Sequence, residues 1–149
     1  MGLNWRHYSV GKYSESGLGV PHVPHQRMLV VDDDSEHTEF ITVVANDVDV
    51  LVRTMRKDSD LIANLVGWQP SIVALDLHVQ SRDGLALLGM LHRRRYAGQV
   101  ILMSEADPRQ LQVAAACAEA GNLRVAAAMP KPAGRLALRA VLERLTADL

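Results

Sequence analysis

Residues 28–35 read Met28-Leu29-Val30-Val31-Asp32-Asp33-Asp34-Ser35. An unbroken apolar run of this length, cut off by acids, reads as a strand buried on both faces. Ser35 has the character of a helix N-cap, and Glu36 puts a negative charge in the first turn of the helix that follows. The same pattern recurs downstream. Ile72-Val73-Ala74-Leu75 closes on another acid, Asp76; Val100-Ile101-Leu102-Met103 runs into Ser104; and Val125-Ala126-Ala127-Ala128 ends near Lys131. Val50, Val52 and Thr54 alternate as a further strand, second in chain order. Helical stretches separate these runs. Phe40, Ile41, Val43 and Val44 carry the first to about Asn46, and Asp60 to Gly67 forms a short second one, closed by glycine and blocked by Pro70. Leu85, Leu88, Met90 and Leu91 line the third, which ends in Arg93-Arg94-Arg95, cations well placed at a helix C-terminus, and Gly98. Asp107-Pro108 opens an Ala-rich fourth helix to Gly121, and Leu138, Val141, Leu142 and Leu145 stripe the fifth.

Strand then helix, five times over, implies a parallel five-stranded sheet covered on both faces, a doubly wound (βα)5 fold. The common strand order for this class is the flavodoxin-like 2-1-3-4-5, with its ligand crevice at the carboxyl ends of strands 1 and 3. Those two strands end in Asp32-Asp33 and Asp76.

Composition narrows the field around that core. The chain has 149 residues, 48% of them hydrophobic, enough for one domain with its own core. Sixteen Lys and Arg balance seventeen Asp and Glu, which excludes a strongly basic nucleic-acid binder. One cysteine, Cys117, excludes a disulfide framework and reads as a small packed residue. No apolar run is long enough to span a membrane and no secretory signal is visible, so the expectation is a soluble, cytoplasmic protein. Residues 1–25 differ from the rest: they hold Trp5, Tyr8 and Tyr13, half of all the aromatics, with four glycines and no helical or strand period. They read as an N-terminal extension, a flexible or docking arm, ahead of a domain over 26–149.

The residues that terminate the inner strands form a constellation. Asp32, Asp33 and Asp76 are carboxylates converging on one crevice, and such groups call for a cation between them. A few hard oxygen ligands suit Mg²⁺, which keeps several of its waters. Ser104 and Lys131 supply a hydroxyl and an ammonium on the other side, suited to an anion such as a phosphoryl group. A carboxylate can itself be the covalent phosphoryl acceptor.

Taken together, Val30-Val31-Asp32-Asp33-Asp34, Leu75-Asp76-Leu77-His78, Asp83-Gly84-Leu85, Leu102-Met103-Ser104 and Pro130-Lys131-Pro132 resemble the receiver domain of response regulators, the CheY-like family. The resemblance covers about residues 26–149. It implies Asp76 as phospho-acceptor and a Mg²⁺ held directly by Asp33 and Asp76, through water by Asp32, and by the backbone carbonyl of His78. It implies Ser104 and Lys131 as partners of the phosphoryl oxygens, with Asp83-Gly84 closing the acceptor loop. The phosphoryl donor would be a sensor histidine kinase or a phosphotransfer protein, and the receiver would catalyse the transfer and slow dephosphorylation rather than act on a separate substrate.

Three features depart from the usual receiver pattern. Val79-Gln80 stands where most receivers have Met-Pro, and Ala128 stands where they commonly place an aromatic switch residue. The stretch from Ser104 to Lys131 is longer by about one helical turn. The last two features are similar to receivers found ahead of EAL-type cyclic-di-GMP phosphodiesterase domains. With no such domain before Leu149, the expectation is a stand-alone receiver that switches a partner or a homodimer surface made of helix 4, strand 5 and helix 5. A receiver-like interaction module independent of phosphorylation is the alternative. A phosphatase with an aspartyl nucleophile would want an acid two residues beyond Asp76, where His78 stands.

Overall fold

The structure, a computed structural model, describes residues 26–56, 60–78, 84–105 and 107–147. The extension over 1–25, the Val79-Gln80 pair and Asp83 lie outside the described residues. Ten elements alternate: β1 (Gln26–Val31), α1 (Ser35–Asp47), β2 (Val50–Met55), α2 (Leu61–Gly67), β3 (Ile72–Asp76), α3 (Gly84–Arg93), β4 (Gln99–Ser104), α4 (Pro108–Ala120), β5 (Arg124–Pro130) and α5 (Arg135–Ala147). The strands are all parallel, in the order β2-β1-β3-β4-β5, as the sequence implies.

The three inner strands, β1, β3 and β4, are buried on both faces over most of their length because each face feeds a different core. Leu29 and Val31 of β1 join Val73, Leu75 and Leu102 beneath α2, α3 and α4. Met28 and Val30 join Ile72, Ala74, Ile101 and Met103 against Ile41 of α1 and Leu138 and Leu142 of α5. The register then sets the site. Val31 pairs with Leu75, so the next residues, Asp32 and Asp76, emerge side by side at the strand ends. Asp76 pairs with Met103 and Ser104 with Pro130, which brings Ser104 and Lys131 to the same rim.

Strand β5 runs longer than its alanines suggest. A register shift between Val100 and Ile101 leaves Ala126 as an extra residue: Val100 pairs with Val125, but Ile101 pairs with Ala127. A bulge of this kind switches the face that following residues present. Val125 accordingly packs on one core, whereas Met129 is buried in the other. Without the extra residue, Met129 would point away from the core it fills.

Several local readings are corrected. Asp34, not Ser35, caps α1, because its carboxylate accepts from the Glu36 and His37 N–H groups at 3.1 and 3.3 Å. Val43 turns out to solvent at 53% exposure, since the buried stripe of α1 is His37, Ile41, Val44 and Ala45. Cys117 is exposed, because α4 turns Leu111, Ala114 and Ala118 toward the sheet instead. Glycine closes α2 at Gly67 and caps α4 at Gly121, but it does not take the left-handed position after the helices. The left-handed residues there are Asp49, Gln69, Arg95 and Asn122, with φ between 51° and 65°. Gly98 answers a different need: a Cβ on it would collide with the Tyr96 hydroxyl and lie 2.5 Å from the Ser71 carbonyl oxygen.

The cap of α4 is as the sequence implies, with the Asp107 carboxylate accepting from Arg109 N–H at 2.9 Å and Pro108 in the first turn. Asp107→Ala is expected to lower stability by about 1 kcal/mol. Urea denaturation would show this as a lower midpoint with an unchanged slope, and an unchanged midpoint would contradict it.

Candidate functional site

At the carboxyl rim, one carboxylate oxygen from each of Asp32, Asp33 and Asp76 lies within 4.8 Å of the other two. Asp32 and Asp76 are buried at 0% and 2% exposure, whereas Asp33 is the accessible member. Lys131 reaches across the crevice from the loop after β5. Its Nζ is 2.9 Å from Asp76 Oδ2, 3.0 Å from Asp32 Oδ1 and 3.8 Å from Asp34 Oδ2. A lysine ahead of proline in a loop would ordinarily be a solvated charge, but this side chain is only 5% exposed.

Backbone donors complete the frame. Asp76 Oδ1 accepts from His78 N–H at 2.9 Å, and Asp32 Oδ1 accepts from Asp34 N–H at 2.9 Å. Lys131 N–H donates to the Ser104 carbonyl at 2.9 Å, tying the lysine loop to the end of β4. Gly84 closes the acceptor loop from the other side. Its N–H donates to Leu77 O at 3.0 Å, and a Cβ on it would press on Leu77 Cα and lie 2.7 Å from the Leu77 oxygen. Gly84→Ala is therefore expected to force the start of α3 away from the loop beside Asp76, at a cost of about 1–3 kcal/mol. Chemical denaturation would register it, and wild-type stability in this variant would contradict the close approach.

The charges are strongly coupled. Burial by itself pushes the Asp32 carboxyl up. Hydrogen bonds from His37, the Asp34 N–H and Lys131, together with the lysine charge, outweigh it and hold Asp32 below its ordinary value. Burial likewise pulls the Lys131 ammonium down, and its bonds to Asp76 and Asp32 reverse that, holding it above the ordinary lysine value of 10.5. Two carboxylates within 4.8 Å of each other repel by roughly 3–4 kcal/mol at an effective dielectric of about 20. One ammonium cannot neutralise Asp32, Asp33 and Asp76 together, so the cluster retains negative charge. An all-oxygen donor set with one accessible carboxylate fits a hard, partly hydrated divalent cation.

Of the five residues singled out in the sequence, Asp32, Asp33, Asp76 and Lys131 bring their side chains together at one rim, Ser104 ends β4 beside them with its carbonyl bonded to Lys131 N–H, and His78 joins through its backbone N–H. Sequence reading missed a sixth. His37 on α1 is buried at 5% exposure, and its Nδ1 lies 2.8 Å from Asp32 Oδ2. The signal was its spacing, since His37 heads the stripe that continues at Ile41 and Val44.

The family model of the response regulator receiver domain matches residues 28–143. The chain belongs to the response-regulator receiver family. Among solved structures, this receiver is similar to a response regulator from Colwellia psychrerythraea, with a TM-score of 0.71 and 22% identity over 83% of this chain and 98% of that one. A signal receiver domain from Bermanella marisrubri gives a TM-score of 0.65 and 27% identity, covering 81% of this chain and 95% of the other. Of curated proteins, a protein-glutamate methylesterase/protein-glutamine glutaminase from Nitrosospira multiformis is 26% identical over 109 residues, 72% of this chain and 30% of that protein. The receiver spans less than a third of the length of the curated relatives it matches. No helix among the described residues is long and apolar enough to cross a membrane.

Proposed function

We propose that this receiver accepts a phosphoryl group on Asp76 with Mg²⁺ bound at the acidic cluster, and thereby switches a partner or dimer surface. The supporting observation is the convergence of Asp32, Asp33 and Asp76 oxygens within 4.8 Å, with Lys131 on Asp76 at 2.9 Å. In the transfer, an Asp76 oxygen attacks the phosphorus of a phosphohistidine on a sensor kinase or phosphotransfer protein. The P–O bond forms as the P–N bond breaks, and the departing ring nitrogen takes up a proton. Asp33, Asp76 and the His78 carbonyl would hold the ion directly, and Asp32 through water. Bound there, Mg²⁺ would supply charge neutralisation for the transferring oxygens. Lys131, 2.9 Å from Asp76 Oδ2, would supply a second positive charge, and the Ser104 hydroxyl would bond a third phosphoryl oxygen.

The output side departs from the usual receiver. Ala128 is exposed on β5, so no aromatic there can follow Ser104 inward. The signal would leave through backbone movement of the loops bearing Ser104 and Lys131, which are bonded to each other. The edge strand β5 and the exposed Val113 of α4 and Leu136 of α5, at 61% and 82% exposure, suit a surface that pairs with a second copy. Ala128 is also the observation that favours the alternative, an interaction module that works without phosphorylation.

The deciding experiment treats the protein with a small-molecule phosphodonor, with and without Mg²⁺. It follows acid-stable and acid-labile phosphate by intact mass, and oligomeric state by sedimentation. Mg²⁺-dependent incorporation of one labile phosphoryl group is the expected result. No incorporation, with partner binding unchanged, would establish the alternative.

A further inference from the structure

We propose that His37 is a positioning residue of the acidic centre: its Nδ1–H fixes the Asp32 carboxylate while its Nε2, held by Ala133 N–H, ties that carboxylate to the loop carrying Lys131. The inference rests on the reading of the centre as a Mg²⁺-dependent phosphoryl acceptor.

The hydrogen bonds assign the ring. Ala133 N–H lies 3.3 Å from His37 Nε2, and a backbone N–H can only donate. Nε2 must therefore offer its lone pair, which leaves the proton on Nδ1, and Nδ1–H donates to Asp32 Oδ2 at 2.8 Å. Phe40 lies beside the imidazole, with ring centroids 6.3 Å apart and ring planes at 21°. Among the described residues this is the only buried histidine, and both of its nitrogens are committed.

The contacts close a ring. Asp32 Oδ2 is held by His37, and Asp32 Oδ1 by Lys131 Nζ at 3.0 Å. Those two holders are themselves joined, because His37 grips Ala133, two residues beyond Lys131. The rotation of the Asp32 carboxylate and the placement of the lysine loop are thus set together. An apolar side chain of similar size would fill the same space yet leave Oδ2 without a donor in a buried position. A role confined to packing would be met equally well by leucine, which separates the two roles experimentally.

The test uses the full chain. Nitrogen-15 NMR of the wild type reads the His37 tautomer, and a protonated Nδ1 with an unprotonated Nε2 is expected. The reverse tautomer would overturn the assignment. Mg²⁺ alone is then titrated calorimetrically into wild type, His37→Leu and His37→Asn, whose amide N–H reaches the place of Nδ1. His37→Leu is expected to weaken Mg²⁺ binding about tenfold or more, with His37→Asn recovering most of it, in line with the effect of supporting groups on metal sites. Wild-type affinity in His37→Leu would bring down this inference alone. Absence of Mg²⁺ binding by the wild type would bring down the reading of the centre as well. Should His37→Leu not fold, the wild-type tautomer and the affinity of His37→Asn still decide.

Discussion

Asp76→Asn is expected to reduce phosphate incorporation from a phosphodonor to background while leaving the fold intact. The asparagine side chain would keep the shape of the carboxylate and an oxygen for His78 N–H, now 2.9 Å from Asp76 Oδ1. It removes the nucleophilic oxygen pair and one ligand of the three-carboxylate cluster. Asp32 and Asp33 do not replace it. Asp32 has one oxygen bonded to His37 and the other shared by Lys131 and the Asp34 N–H. Asp33 is set apart by its accessibility. Stability should move in the opposite sense from activity, because two buried carboxylates then become one while Lys131 keeps its bond to Asp32. Urea midpoints are expected to stay within about 1 kcal/mol of wild type, or to rise. Labile phosphate retained by Asp76→Asn would remove Asp76 from the role proposed for it, and a large loss of stability would contradict the electrostatic account.

Lys131→Met should have the opposite balance, a large loss of stability along with the loss of chemistry. The methionine fills the volume but leaves Asp32 and Asp76, both buried, without the ammonium that bridges them. Removing one partner of a buried ion pair typically costs about 3–5 kcal/mol. Added Mg²⁺ should restore part of that through binding to the folded state alone. Phosphorylation should fall by roughly 100-fold or more, the usual effect of removing one charge-stabilising donor.

The pH profile of stability carries the sign of the same interactions. Asp32 lies below its ordinary value of 3.8 in the folded chain, so its contribution is present above pH 3.8 and is lost as pH falls through the lowered folded value. Lys131 lies above 10.5, so its contribution is present below pH 10.5 and is lost as pH rises through the raised folded value. Tyr96, raised from 10.0 by burial, adds to the same alkaline loss. Lys131→Met should therefore flatten the alkaline limb to the part due to Tyr96 and weaken the acid limb, since Asp32 loses one of the partners that lower it. An alkaline limb identical to that of wild type would show that the lysine is not engaged as described.

Much of this was legible in the sequence for a physical reason. Apolar runs ending in acids, such as Val30-Val31-Asp32 and Ala74-Leu75-Asp76, report strands that are buried on both faces and stop where the chain meets solvent. Helix stripes and caps such as Asp107-Pro108 are likewise local, so element order followed from them, while the sheet order came from the common topology of the doubly wound class. What failed locally were choices between neighbours. Asp34 and Ser35 are both competent caps, and only the backbone path decides that Asp34 is the one in place.

Local pattern was enough for the alternation of strands and helices, the parallel sheet, and the acids and lysine at its carboxyl rim, because each depends on periodicity within a few residues. The tertiary structure alone decided that Lys131 is buried between Asp32 and Asp76 and that β5 is bulged at Ala126. It alone decided that His37 is locked between Asp32 and Ala133. These features depend on register and on contacts between residues as far as 99 positions apart, where no local pattern carries the information.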